Sequence, residues 1–171
     1  MSNFVINPYS FASGGETYIQ SNSGSTTGTY NNKIYFGCDL TDADWYDRGV
    51  TSIKFTLART YAGTFNGDVE CYHIASNGTS ETLVDTETIV VTNTAAVYTW
   101  TFDITLSASG GYIMLKGLPQ GDANEEIKMY YDTTPDPADS DTVEISTKVD
   151  AAASPSTRAG EYPTTEIEYT E

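Results

Sequence analysis

The chain has 171 residues, with eight basic against 24 acidic side chains and a formal net charge of −16. That length suits one domain with a proper core. The charge argues against nucleic acid, which calls for a basic stripe, and against an anionic membrane surface.

No apolar run approaches the ~20 residues of a membrane-spanning helix. The first residues, MSNFVINPYSF, lack the basic start and apolar stretch of a signal peptide, so the expectation is a chain made without one. FVINPYSF reads as strand-like, and Gly14-Gly15 punctuates the chain soon after it.

DLTDADWYDRG, residues 39–49, holds Asp39, Asp42, Asp44 and Asp47. A calcium loop of the EF-hand kind needs acids or Asn at positions 1, 3 and 5, Gly at 6 and Glu at 12. A register starting at Asp42 puts Tyr46 fifth, Asp47 sixth and Ile53 twelfth, and one starting at Asp39 puts Thr41 third and Ala43 fifth. Neither fits. A short helix near 41–48 fits better, with Thr41 as N-cap, Asp44 in the first turn and Gly49 as C-cap. Trp45 or Tyr46 would then face a sheet as a lid. A calcium site of another kind, built with backbone carbonyls, stays open as the alternative.

Strand signals dominate the remainder. In SIKFTLA, Ile53, Phe55 and Leu57 alternate with polar or small residues. In DVECYHIA, Val69, Cys71 and His73 share one face and Tyr72 and Ile74 the other, which predicts a strand covered on both sides. In VYTWTFDIT, Tyr98, Trp100, Phe102 and Ile104 form an apolar face. GYIMLKG and EIKMYYD read as strands apolar on both faces, and TVEISTK places Val143 and Ile145 inward. Asn66-Gly67, Asn77-Gly78 and Gly110-Gly111 are expected turns. Pro135 and Pro137 mark a polar loop that no central strand tolerates. DAAASPSTRAGEYP, from Asp150, reads as an extended arm. It ends in TTEIEYTE, where Ile167 and Tyr169 alternate with Glu166 and Glu168 as a terminal strand.

Candidate chemistry is sparse. His73 is the single histidine, so every triad would depend on it. Cys71 shares its face but has no activating helix terminus nearby. Cys38 and Cys71 match no zinc or redox spacing and are expected as buried thiols. Acids gather in loops at Asp122, Glu125, Glu126, Asp132, Asp136, Asp139 and Asp141, which reads as a solvated loop surface. A glycosidase pair among so many would carry little meaning. Asn77-Gly78-Thr79 fits a glycosylation sequon but is better explained as a hairpin turn. Four aromatics, Tyr61, Phe65, Tyr130 and Tyr131, are the candidate binding residues, able to supply rings to a sugar face or a protein interface. No catalytic residue, cofactor or metal site is expected.

The order IKFTLART, GTFNGDVECYHIASNG, VYTWTFDITLSASGGYIMLKG and EIKMYYD, from Ile53 to Asp132, resembles the jelly-roll β-sandwich of carbohydrate-binding modules and of many viral and phage structural modules. The opening MSNFVINPYSFA is similar to the starts of head- and tail-associated proteins of tailed bacteriophages. The fold expected is an all-β, antiparallel jelly-roll-like sandwich of about ten short strands over residues 1–149, followed by the arm 150–171. The resemblance implies a non-enzymatic capsid decoration (cement) protein at the virion surface. It would be a homo-oligomer whose partners are the major capsid protein or other virion proteins, contacted through the N-terminal region and the arm. A carbohydrate- or host-receptor-binding module of a tail fibre or adhesin, with a glycan as partner, is the alternative.

Overall fold

The computed structural model describes residues 15–20, 27–29, 34–119, 126–134, 143–149 and 153–171. In chain order the strands are β1 (Glu16–Gln20), β2 (Thr27–Thr29), β3 (Tyr35–Leu40), β4 (Gly49–Arg59), β5 (Phe65–Ala75), β6 (Glu81–Val91), β7 (Ala96–Thr105), β8 (Gly111–Lys116), β9 (Ile127–Asp132), β10 (Glu144–Lys148), β11 (Ser156–Arg158), β12 (Tyr162–Pro163) and β13 (Thr165–Thr170). One 3-10 turn, Ala43–Trp45, interrupts them.

Eight strands pair like a long hairpin rolled up on itself. β1 pairs with β13, β3 with β8, β4 with β7 and β5 with β6, all antiparallel. Counted in chain order within that set, first meets last, second meets seventh, third meets sixth and fourth meets fifth. Two further pairings, β13 with β4 and β5 with β8, join these couples into two sheets. That nesting is the jelly roll, and it confirms the expected fold class. The first sheet runs β1-β13-β4-β7, and β9, flanked by β2 and β12, extends it at the far end of β4. The second runs β11-β10-β3-β8-β5-β6.

The predicted apolar faces form the core between the sheets. Ile53, Phe55 and Leu57 of β4, Trp100 and Phe102 of β7, Val69 and Cys71 of β5, Val143, and Ile145 of β10 are all buried in one cluster. The Trp100 indole crosses the core and donates to the Val69 carbonyl oxygen at 3.1 Å. Cys38 and Cys71 are buried free thiols. β8 lies between the strands that carry them.

Three expectations need correction. The helix near 41–48 is a single 3-10 turn. Asp42, not Thr41, caps it by accepting from the Asp44 N–H. The Asp39 carboxylate holds the preceding step, accepting from the Thr41 N–H at 2.9 Å and its hydroxyl at 2.6 Å. The turn ends through Asp47 at φ 60°, and Gly49 already belongs to β4, so there is no room for a longer helix. Asn66-Gly67 is not a turn: both residues sit inside β5, paired with Val90 and Ile89 of β6. The chain reverses earlier, where Gly63 takes φ 124°. The segment from Ser156 onward is not an arm. β11 joins the second sheet, and β13 lies inside the first, between β1 and β4, because Ile167 and Tyr169 point into the core. Up to residue 149 the described residues carry ten strands, β1 to β10, the number expected. Gly14, the N-terminal strand-like segment, Pro135 and Pro137, and Asp122, Glu125, Asp136, Asp139 and Asp141 lie outside the described residues.

Other expectations hold. Asn77-Gly78 makes a turn, with Gly78 at φ 75°, and Gly110 turns at φ 67° beside the Ser107 carbonyl. Trp45 is the lid and Tyr46 faces solvent. Trp45 packs edge-on against Tyr18 at 5.6 Å and Tyr169 at 5.3 Å, and the Arg48 guanidinium lies 4.4 Å from the Tyr169 ring centre.

Candidate functional site

The four candidate aromatics do not form one platform. Alternation along β9 sends Tyr131 into the core with Ile127 and Met129, and Tyr130 outward, where the Lys128 ammonium lies 5.6 Å from its ring centre. Phe65 also packs against the core. Tyr61 is exposed in the loop after β4. Arg59 pairs with Ile127, and Tyr61 lies past Arg59 while Tyr130 lies the other way along β9. The two outward rings are thus about five residue steps apart, on the order of 16 Å at strand spacing. No sugar ring stacks on both.

Shallow depressions mark the described surface, one of them beside Phe65. One of about 140 Å³ sits on the first sheet, where exposed Ile19 and Val97 flank the Lys54–Glu166 ion pair at 2.5 Å. A second, of about 180 Å³, is lined by Asp39, Thr41, Asp42 and Glu144. Its acids are engaged by the protein: Asp39 also accepts from the Thr157 hydroxyl, and Glu144 from the Gly160 N–H at 2.9 Å. Among the described residues no group of three or more His, Cys, Asp or Glu is placed to hold a metal. The third, of about 230 Å³, is bounded by Arg59, Phe65 and Pro119.

The densest polar chemistry lies on the outer face of the second sheet, where the sequence alone marks no site. Tyr35, Ile74 and Met114 are buried there, with Tyr72 and Tyr112 packed against them. This is the second covered face that the apolar pattern of β5 and β8 predicts. Lys148 is wholly buried in this group, and its ammonium is bonded to Glu81. The Tyr35 hydroxyl donates to the other Glu81 carboxylate oxygen at 2.8 Å. Lys116 lies 5.5 Å and 5.2 Å from the ring centres of Tyr35 and Tyr72, and 3.8 Å from Glu70. Cation–π placement of this kind contributes about 0.5–1 kcal/mol per contact at partly exposed sites.

Glu81 reaches this group from an unexpected distance. It opens β6, the edge strand, whereas Lys148 closes β10, four places across the sheet. A flat sheet would hold those strands on the order of 19 Å apart at ~4.8 Å per place. Strand twist resolves this. A twisted sheet is saddle-shaped, so two diagonally opposite corners rise towards the same face. Glu81 pairs with Ile74 at one end of the sheet and Lys148 with Tyr35 at the other, so they stand at such corners. The hairpin tip is held in the same way: Gly78 lies against Ser154 and Pro155 of the β10–β11 connection. Burial pushes the Glu81 carboxyl up. The hydrogen bonds from Lys148 and Tyr35 and the charges of Lys148 and Lys116 outweigh that and hold it below its ordinary value.

His73 lies on the core side of the same hairpin, and burial lowers its pKa. Burial thus favours the neutral ring in the folded state. Above about pH 6.5 both states are neutral and the ring has no effect on stability. As pH falls below that, the unfolded chain takes up the proton first and stability declines. His73→Gln is expected to remove this decline between pH 7 and 5 in urea titrations, and an unchanged profile would refute the assignment.

No family model matches the sequence, and no curated protein matches it. Among solved structures, the whole chain aligns with 42% of a chain in a structure of the infectious bursal disease virus Gt strain, at 11% identity and a TM-score of 0.29. Likeness at that level does not bear on function.

Proposed function

We propose that this chain is a non-enzymatic structural protein of a bacteriophage particle, and within that a capsid decoration (cement) protein working through protein–protein contacts. The nested pairing of eight strands supports this reading. It closes both sheets into the jelly roll that virion modules share, and it leaves the polar chemistry engaged in internal bonds. Fold alone does not fix function, so the charge matters as well. A net charge of −16 keeps free copies apart in solution and favours a basic partner surface. Repetition over a lattice then makes weak single contacts sufficient.

The first-sheet groove between Ile19 and Val97 offers apolar contact area beside the Lys54–Glu166 ion pair. A glycan-binding role has less behind it, since Tyr61 and Tyr130 do not pair. The test is co-sedimentation of purified protein with particles lacking it. Binding that raises the particles' resistance to heat, and that weakens as salt rises through about 0.5 M, is the expected result. If the protein does not bind, and particles with and without it are equally stable to heat and low salt, the reading is wrong.

A further inference from the structure

The end of the β5–β6 hairpin covers apolar side chains that the jelly-roll core does not need. Tyr35, Ile74 and Met114 form their own cluster, apart from the main core and on the far face of the sheet. β5 itself is fixed through Ala75 by its ladder with β8, and two contacts hold the turn beyond it and the start of β6 over the cluster. At the tip, Gly78 rests on Ser154 and Pro155. At the base of β6, Glu81 bonds Lys148 and Tyr35. The rest of β6 is tied separately: the Thr101 N–H donates to Asp85 at 2.8 Å, and the Tyr98 hydroxyl to the Val90 carbonyl at 2.6 Å. A bulge between the Cys71 and Tyr72 pairings divides the two stretches. β6 is the edge strand and β5 stays paired with β8 through Ala75, so the turn and the start of β6 can detach without opening the main core.

We propose that residues 76–82, the turn after β5 and the start of β6, form a strap over the outer face of the second sheet, held shut by the Glu81 carboxylate on Lys148 and Tyr35, and released by acid to bare the Tyr35–Ile74–Met114 patch. Among the described residues, the groups acting on Glu81 are Lys148 of β10, Tyr35 of β3 and Lys116 of β8; Glu70 and Tyr72 of β5 and Tyr112 of β8 are the other titratable groups around the same cluster. Lys116 is already occupied by Glu70 and the two tyrosine rings. Among the described residues, Glu81 is thus the carboxylate paired with Lys148. The sign follows from its depressed pKa. The latch is complete above the ordinary glutamate range and is lost as pH falls through and below it. A protonated Glu81 leaves a buried ammonium without a counter-charge, and solvation of Lys148 then favours the open strap.

Hydrogen exchange at neutral pH tests the latch without acid. Glu81→Gln copies the protonated acid and is expected to speed exchange of amides 76–82 at least tenfold, with β4 and β7 unchanged. The paired variant Glu81→Met/Lys148→Met removes the charge requirement. In a titration from pH 7 to 3, the wild type is expected to bind a hydrophobic dye before its near-ultraviolet circular dichroism is lost, and the paired variant only as that signal disappears. Both proteins keep His73, so its titration cancels. If Glu81→Gln speeds exchange uniformly or not at all, or if the paired variant binds dye at the same pH as the wild type, the strap is refuted. Should Glu81→Gln fail to fold, the comparison of wild type with the paired variant decides alone.

Discussion

Glu81→Ala is expected to destabilise the protein by about 3–5 kcal/mol, the range for breaking a buried pair so that one charge is left alone. Lys148→Met is expected to destabilise it by only about 1–3 kcal/mol. The asymmetry comes from exposure. The Lys148 side chain is 0% exposed, whereas that of Glu81 is 18% exposed. Without Glu81, the deeply set ammonium keeps no carboxylate among the described residues. Without Lys148, the carboxylate keeps the Tyr35 hydroxyl and partial access to solvent, while methionine fills much of the lysine stem's volume. Changing both to methionine is expected to fall within about 1 kcal/mol of the wild type, because replacing a buried pair with apolar groups is often neutral. Urea denaturation of the four proteins at pH 7 completes a double-mutant cycle. Equal losses for the two single variants would show that Lys148 is not the buried partner.

That pair also marks where the sequence stops being readable. Strands β4, β7 and β10 follow from alternation over a few residues. The inward positions Ile53, Phe55, Leu57, Trp100, Phe102 and Ile145 are legible from that alternation alone. The double covering of β5 and β8 is legible too, because Tyr72, Ile74, Tyr112 and Met114 put apolar side chains on the second face. The group that covers that face is not. Glu81 and Lys148 are 67 residues apart, and their meeting depends on the twist of a six-stranded sheet. A lysine in EISTK carries no local sign of burial. Asn66-Gly67 misleads for the opposite reason. Its local chemistry suits a turn, but Gly63 reverses the chain earlier, and pairing with Val90 and Ile89 claims both residues for β5. The four aromatics show the same limit: alternation separates Tyr130 from Tyr131 by face, but only the register of β4 with β9 sets the distance to Tyr61.

Trp100→Ala is expected to lower stability by about 3–5 kcal/mol, and Trp100→Phe by about 1–2 kcal/mol. Trp100 is fully buried, lies opposite Ile53 in the register of β4 with β7, and stacks edge-on against Phe55 at 6.1 Å. Truncation to alanine opens a cavity between the two sheets and also removes the indole bond to the Val69 carbonyl. Phenylalanine keeps most of the ring volume and loses that bond, whose net contribution is about 1 kcal/mol. Comparing the two variants therefore separates packing from the polar link across the core. Chemical denaturation measures both, and Trp45, the other tryptophan of the chain, remains as the fluorescent reporter inside its cage of Tyr18 and Tyr169. A sandwich filled from both sheets requires packing to contribute more than the bond, since neither sheet has a core of its own on that side. A Trp100→Phe variant as unstable as Trp100→Ala would reverse that ranking, making the indole–carbonyl bond, rather than ring volume, the link that joins the two sheets at this point.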